Sequence, residues 1–190
     1  MTEARVRRMV AGDVERVMEI TCGLPEAPQW SAAAWRSALE PEGALRRVAL
    51  VVESFPFPST IFTDTKNGEN LPELEPSAQQ KSPGPDSHYK TGPGRVFGLT
   101  VASFLGFQAE LELIAVSTEA QRQGVARRLW AALAGDLAGL GVTEVLLEVR
   151  QSNRAARGLY DALGFRQAGI RPRYYADPVE DAVLMTVRLP

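Results

Sequence analysis

Hydrophobic and polar positions follow two different periods along this chain. Short runs rich in β-branched residues, such as 47–53 and 95–102, are typical of strands. Apolar residues that recur every few positions, as Leu129, Leu133 and Leu137 do, are typical of one helix face. Because the two patterns alternate, the sequence predicts an α/β protein with a mixed sheet of about six or seven strands flanked by helices.

The predicted elements follow one another without an internal repeat. In chain order they are a strand at 6–9, a helix after the cap Asp13, a helix after the cap Ser31, strands at 47–53, 95–102 and 110–116, a helix along Val125 to Leu140 ended by Gly141, a strand at 143–149, a helix at 153–163 closed by Gly164, and strands at 165–173 and 182–188. The strands at 47–53 and 95–102 should pair. The strand at 143–149 is apolar enough to predict burial on both faces, as in a central parallel strand.

The segment 54–94 interrupts this pattern. Seven of the thirteen prolines of the chain lie in it. Such a concentration of proline is typical of disordered or loosely packed insertions. We therefore interpret 54–94 as a surface insertion within one domain that spans 1–190. A role in binding a partner stays open, because the insertion carries a small apolar cluster, Phe55, Phe57, Ile61 and Phe62.

Composition narrows the possible chemistry. The net charge of −2 argues against a broad basic surface for nucleic acid. The single cysteine, Cys22, cannot form an intramolecular disulfide, and the single histidine, His88, lies in the proline-rich insertion, so thiol, triad and metal chemistry are disfavoured. Neither a cleavable signal nor a membrane-spanning run stands out. We expect a cytoplasmic protein that binds no metal, no membrane and no nucleic acid directly.

The strongest site signal is a hydrophobic strand that runs through a short turn into a helix, from Ile114 to Arg128. A helix N-terminus presents unpaired N–H groups and a partial positive charge. Arg122, Arg127 and Arg128 add cations at the same place, which is unfavourable unless a polyanion neutralises them. Gly124 would let that ligand approach the backbone closely. An ordinary helix start with solvated arginines is the alternative.

The loop Gln121-Arg122-Gln123-Gly124-Val125-Ala126 resembles the acetyl-coenzyme A pyrophosphate loop of the GNAT N-acetyltransferases, whose pattern is Gln/Arg-x-x-Gly-x-Gly/Ala. The resemblance implies the fold of that superfamily and acetyl-CoA as cosubstrate. It also implies a set of acetyl-CoA contacts: backbone groups of Ile114, Ala115 and Val116 at the thioester, the loop residues Gln121, Arg122, Gln123, Gly124, Val125, Ala126 and Arg127 at the pyrophosphate, and Asn153 elsewhere on the coenzyme.

The second half of the chain is similar to the RimI family within this superfamily. The similarity lies in Leu147-Glu148-Val149-Arg150-Gln151-Ser152-Asn153, Tyr160-Asp161-Ala162-Leu163-Gly164-Phe165 and Ile170-Arg171-Pro172-Arg173-Tyr174-Tyr175. RimI enzymes acetylate the N-terminal alanine of small-subunit ribosomal protein eighteen. The resemblance therefore implies acetyl transfer to the N-terminal α-amine of a protein, with that ribosomal protein as the expected substrate. The alternatives are a lysine or small-molecule amine acetyltransferase and a non-catalytic acyl-CoA sensor.

Two residues are candidates for the catalysis itself. Glu148 is a carboxylate in an otherwise apolar strand, where it could act as general base for an amine of pKa about 8. An ion pair with a neighbour such as Arg150 is the alternative. Tyr160 shares a helix face with Ala156 and Leu163, so periodicity alone makes it a core aromatic. The resemblance implies that Tyr160 donates a proton to the coenzyme A thiolate.

Other polar residues are candidates for binding. Asn153 could cap its helix, contact coenzyme A, or do both. Tyr174 and Tyr175 could position the peptide N-terminus or simply pack. A negative field for an incoming ammonium or basic peptide could come from three carboxylates, Glu110, Glu112 and Asp181. The chain departs from the RimI pattern where Gln29 interrupts a Pro-Trp pair, at Leu113 and Ala126, and in the insertion.

Overall fold

The computed structural model describes residues 4–40, 46–54 and 95–190. In chain order these residues form β1 (Ala4–Arg8), α1 (Val14–Cys22), α2 (Ala32–Leu39), β2 (Arg46–Ser54), β3 (Arg95–Leu105), β4 (Gln108–Val116), α3 (Val125–Gly139), β5 (Glu144–Arg150), α4 (Arg154–Ala162), β6 (Arg166–Ala176) and β7 (Val179–Arg188). The predicted insertion lies outside the described residues, except for Ser54, which ends β2. None of these helices is long and apolar enough to cross a membrane.

The strands form one seven-stranded sheet in the order β1-β2-β3-β4-β5-β7-β6. Neighbouring strands are antiparallel except β4 and β5, which are parallel. The predicted pairing of β2 with β3 is confirmed, from Arg46 opposite Phe104 to Ser54 opposite Arg95. The mixed α/β sheet predicted from the alternating periods is therefore confirmed.

Helices cover the two faces of the sheet unequally. On one face α3 and the buried Tyr160 of α4 pack against a core that reaches from β2 to β7. On the other face α1 and α2 pack against β2, β3 and β4 in a smaller core that includes the buried Trp35. That smaller core contains no residue of β5, β6 or β7. The second face of β5 is thus left open to a groove.

The exposure of β5 corrects one prediction from the sequence. Val145, Leu147 and Val149 are buried, whereas Leu146 and Glu148 are only half-buried. Burial on both faces was the wrong expectation, because α1 and α2 stop at β4 and leave this face of β5 uncovered. The carboxylate of Glu148 therefore needs no buried environment, and its strand borders open space.

The N-terminal helices follow their predicted caps only in part. Ser31 caps α2 as predicted, since its hydroxyl accepts a hydrogen bond from the Ala34 N–H at 3.2 Å. Asp13 precedes α1, but its carboxylate accepts from the Val10 N–H at 2.9 Å and pairs with Arg7 at 2.7 Å instead of capping. Burial acts to raise the pKa of Asp13, but Arg7 and the Val10 N–H outweigh it and lower that pKa overall.

Candidate active site

A bulge in β4 shapes the centre of the sheet. Leu113 lies opposite Val101 and Leu111 lies opposite Ala102, so Glu112 is an extra residue with no partner on β3. Leu111 packs in the core beneath α3, whereas Leu113 packs in the core beneath α1 and α2. The bulge therefore exchanges the two faces of β4 halfway along the strand.

Beyond this bulge β4 and β5 part. Their pairing runs only from Gln108 opposite Glu144 to Glu110 opposite Leu146. Both strands continue, however, to Val116 and Arg150. Because neighbouring strands are held by backbone hydrogen bonds, their facing edges beyond the last pair have donors and acceptors free for a ligand. The predicted thioester contacts at 114–116 lie on this stretch of β4.

The loop after β4 enters α3 through two left-handed residues. Arg122 has φ 61° and Gly124 has φ 79°, and α3 begins at Val125. Gly124 offers no side chain to cap the helix, and the first helical hydrogen bond runs from the Arg128 N–H to the Gly124 carbonyl at 3.1 Å. The N–H groups at 125–127 are consequently available at the positive end of the helix dipole.

The side chains of this loop divide into two groups. Gln121 and Gln123 brace the loop itself, donating to the Val116 carbonyl at 3.1 Å and to the Glu119 carbonyl at 2.9 Å. Arg122 and Arg127 are exposed and form no ion pair with any residue that the structure describes. This arrangement suits a phosphate group, because fixed N–H donors and two exposed arginines occur together in the loop and the first turn of α3. Val125 and Ala126 are half-buried, packing α3 onto the core.

Gly98 is a residue of this site that the sequence analysis missed. It lies in β3 opposite Val116, and a Cβ placed on it would stand 2.9 Å from the Ala115 carbonyl oxygen. The same Cβ would stand 3.2 Å from Val125 Cγ1 and 3.3 Å from Leu129 Cδ1. Only glycine therefore lets the first turn of α3 lie this close to the sheet. Its signal in the sequence is a glycine within a β-branched strand.

Replacing Gly98 by alanine should displace the first turn of α3 and weaken acetyl-CoA binding. We expect a loss of about 1–3 kcal/mol in the free energy of unfolding, because the added methyl overpacks a site walled partly by backbone. Thermal unfolding and the KM for acetyl-CoA measure the two effects. The control is Gly135→Ala in the exposed part of α3, where a Cβ meets nothing within 4 Å. Parental stability and KM in Gly98→Ala would contradict the prediction.

Glu148 lies where β4 and β5 separate, and its ion-pair partner is not Arg150. Its Oε1 is 2.6 Å from Nη1 of Arg171 on β6. Arg150 instead pairs with Glu180 at 3.2 Å and lies over the ring of Tyr175 at 4.2 Å. Glu148 is therefore in an ion pair with an arginine, as the alternative to the base role expected, but its partner is Arg171 of the hairpin of β6 and β7 and not Arg150.

A groove of about 320 Å³ opens in front of Glu148 on the uncovered face of the sheet. Its walls include Glu110, Leu146, Arg171 and Leu184. Partial desolvation, followed by the charges of Glu148 and Glu112, raises the pKa of Glu110. The groove is thus lined by apolar and polar residues of the sheet together with three charged groups, Glu110, Glu148 and Arg171.

The three carboxylates expected to attract an ammonium do not act alike. Glu112 is held by Arg47 at 3.2 Å, and Asp181 accepts a hydrogen bond from the Arg173 N–H at 2.8 Å. Glu110 alone of the three lines the groove. Asp181 is therefore committed to the backbone of β6, and Glu110 and Glu148 carry the negative charge on the groove wall.

Tyr160 lies on α4, on the other side of β5, and Asn153 is the N-cap of that helix. Burial, and secondarily the neighbouring Tyr175, raises the pKa of Tyr160 well above the usual tyrosine value. Its ring packs edge-on against Phe165 at a centroid distance of 5.6 Å. Asn153 caps α4, since its side-chain oxygen accepts a hydrogen bond from the Ala156 N–H at 3.0 Å. The capping role predicted for Asn153 is thereby confirmed.

The connection between α1 and α2 lies beside the end of β5. Glu26 is 3.8 Å from Arg150, which joins this connection to the strand that carries Glu148. The side-chain amide of Gln29 donates to the carbonyls of Thr21 and Ala27, both at 2.9 Å. Gln29, which departs from the RimI pattern, thus fastens the connection. Among the described residues no group of His, Cys, Asp and Glu side chains is arranged to hold a metal ion.

Comparison with known proteins identifies the superfamily. The model of the acetyltransferase (GNAT) family matches residues 56–165, more than half of the chain. The chain belongs to the GNAT family. The GNAT match and the predicted acetyl-CoA loop agree, so this protein is an acetyl-CoA-dependent N-acetyltransferase. The fold and the superfamily predicted from the sequence are confirmed.

Its relatives are of the RimI type. The [ribosomal protein bS18]-alanine N-acetyltransferase of Escherichia coli K12 is 40% identical over 99 residues, which cover 51% of this chain and 67% of that protein. The N-alpha-acetyltransferase RimI of Mycobacterium tuberculosis is 40% identical over 108 residues, 53% of this chain and 66% of that protein. The crystal structure of the ribosomal-protein-S18-alanine N-acetyltransferase from Escherichia coli superposes with a TM-score of 0.68 at 25% identity, covering 98% of this chain and 94% of that one. The RimI likeness predicted from the sequence is thereby confirmed.

Proposed function

We propose that this GNAT enzyme acetylates the N-terminal α-amine of a protein, and that its substrate is the N-terminal alanine of ribosomal protein bS18. The observation that carries the proposal is the position of Glu148, in the wall of a groove and at the point where β4 and β5 part. A groove open at the sheet surface admits an extended chain end to the base. The similarity to bS18-alanine N-acetyltransferases supports the choice of substrate, and a ribosomal substrate would place the reaction in the cytoplasm.

The acetyl-CoA site that we propose has two parts. The loop from Gln121 to Arg127 would bind the pyrophosphate, with N–H groups and Arg122 as donors and Gly124 leaving room for the ligand. The free edge of β4 at 114–116 would direct N–H groups at the thioester carbonyl. Asn153 at the start of α4 would contact the coenzyme beside β5. Bound acetyl-CoA supplies the activated acyl group.

The residues of this chain then have separate tasks in the transfer. Glu148 would accept the proton that the ammonium must lose before its nitrogen can attack, directly or through water. The backbone at 114–116 would stabilise negative charge that develops on the carbonyl oxygen. Tyr160, whose hydroxyl keeps its proton because its pKa is raised, would donate to the departing sulfur. The base and the acid thus lie on different elements, β5 and α4.

The substrate is tested by acetyl-CoA turnover on matched peptides. We expect coenzyme A release with a short peptide that begins with alanine and has no lysine, and none with the same peptide N-terminally blocked and carrying an internal lysine. Replacing the first residue by a bulkier one should lower kcat/KM. Turnover on the blocked peptide would instead indicate a lysine acetyltransferase. Binding of acetyl-CoA without turnover on either peptide would favour a different amine or an acyl-CoA sensor.

A further inference from the structure

The hairpin of β6 and β7 contains a wide bulge next to Glu148. Arg171 lies opposite Ala182, and Tyr175 lies opposite Glu180. Between these pairs the three residues at 172–174 face a single residue of β7, Asp181. The excess residues push β6 out of the regular ladder at the point where the strand passes the groove.

The bulge holds one residue in an unfavourable backbone conformation. Arg173 has a φ of 54°, in the left-handed region that residues other than glycine, asparagine and aspartate rarely adopt. Oδ1 of Asp181 accepts the Arg173 N–H at 2.8 Å. The carbonyl of Asp181 accepts the Gln151 N–H at 3.1 Å, which anchors this part of β7 to the turn before α4. The strained backbone of Arg173 is thus held by a hydrogen bond to one carboxylate, that of Asp181, which is itself fixed in place. Strained residues held in this way are concentrated at functional sites.

Two residues that flank the left-handed Arg173, Arg171 and Tyr174, lie at the site of Glu148. Arg171 pairs with Glu148 at 2.6 Å and lies 5.6 Å from the centroid of the Tyr174 ring. The carboxylate of Glu148 is the main reason that the pKa of Tyr174 is raised. Tyr175, the next residue, lies over Arg150. If the bulge relaxed to regular pairing, the spacing between Arg171 and Tyr174 along β6 would change, and Arg171 could not contact both Glu148 and the Tyr174 ring.

We propose that Asp181 is a positioning residue of this active site: its carboxylate holds Arg173 in the left-handed conformation, and the bulge so fixed places Arg171 on Glu148 and the Tyr174 ring beside Arg171. The assignment differs from a role of Asp181 as a charge that attracts the substrate, because an oxygen acceptor is needed and a negative charge is not. It builds on the proposed role of Glu148 and concerns the acceptor side of the site. The acetyl-CoA loop lies on other elements.

The test combines loss of the acceptor with relief of the strain. With the amine that the parent enzyme acetylates, we expect Asp181→Ala to lower kcat/KM for the amine by up to about tenfold, as loss of Arg171 itself would, mostly through its KM, while the KM for acetyl-CoA stays within about twofold. Asp181→Asn, which keeps an oxygen in place, should retain activity within about threefold. Adding Arg173→Gly to Asp181→Ala should restore most of the loss, since glycine adopts this conformation without strain.

A matched glycine elsewhere in β6 controls for simple loosening of the strand. Gln167→Gly in the Asp181→Ala background should restore nothing, because Gln167 is exposed and has no left-handed backbone to relieve. Thermal unfolding establishes that each protein is folded. The proposal is overturned if Asp181→Ala has parental kinetics, or if Asp181→Asn loses as much as Asp181→Ala. Absence of turnover with every peptide in the parent enzyme would instead contradict the proposed function, and the same variants would then be compared with the amine that is acetylated.

Discussion

Replacing Glu148 by glutamine should lower kcat/KM for an alanine-initiated peptide by about 10²-fold or more at neutral pH. The amide preserves the size of the side chain but cannot accept a proton. The loss of activity should shrink as the pH rises above the pKa of an N-terminal α-amine, about 8. More of the substrate amine is then already neutral when it binds. Initial rates of coenzyme A release from neutral to mildly alkaline pH measure both effects.

The variant Arg171→Gln distinguishes the role of Glu148 as a base from its role in the ion pair. This variant removes the same 2.6 Å ion pair as Glu148→Gln but keeps the carboxylate. We expect a loss of at most about tenfold, carried mostly by the KM for the peptide, since Arg171 helps to hold Glu148 in place. Equal losses in the two variants would mean that Glu148 serves only as the partner of Arg171. A Glu148→Gln enzyme with full turnover at neutral and high pH alike would exclude the base role.

Local signals in the sequence were sufficient for most of the fold. Gly141 and Gly164, predicted as helix ends, have φ of 85° and 96°, conformations in which glycine is free of strain. The Ser31 cap and the pairing of β2 with β3 were likewise predicted from neighbouring residues. These features depend on short stretches of chain, which is why periodicity and turn chemistry reveal them.

The bulge of β4 could not be predicted in the same way. The run Glu110-Leu111-Glu112-Leu113 alternates polar and apolar residues, which in a regular strand puts both leucines on one face. In the structure Glu112 is the extra residue, and the two leucines join different cores. Leucine suits both cores, so the alternation of polar and apolar residues does not reveal that the two faces of β4 exchange at the bulge. The separation of β4 and β5 beyond the bulge is consequently not visible in the sequence pattern.

The environment of Glu148 depends on residues distant in sequence. Its partner Arg171 reaches it only because β6 pairs with β7 and β7 pairs with β5, and a bulge then sets the register. Neighbouring positions suggested Arg150, which is on the same strand but is engaged by Glu180. Side-chain partners across a sheet depend on register and bulges, and a single sequence specifies these only weakly.

Replacing Tyr160 by phenylalanine should lower the rate of the chemical step by about 10²-fold while the protein stays folded. The ring contact with Phe165 is preserved, so we expect the free energy of unfolding to change by less than about 1 kcal/mol. The raised pKa of Tyr160 keeps its hydroxyl protonated at neutral pH. The rate of the parent enzyme should therefore show no decrease from deprotonation of Tyr160 below about pH 10. Single-turnover rates are the appropriate measurement, because slow product release could hide the change in kcat.

Tyr175→Phe is the matched control for that measurement. It removes the neighbouring phenol hydroxyl on β6 and keeps a ring beneath the guanidinium of Arg150. Because Tyr175 has no proposed part in proton transfer, its loss should affect the single-turnover rate much less than that of Tyr160. The base on β5 and the acid on α4 act on different atoms, so Glu148→Gln should respond to the basicity of the amine and Tyr160→Phe should not. An undiminished single-turnover rate in Tyr160→Phe would assign this tyrosine to the core alone.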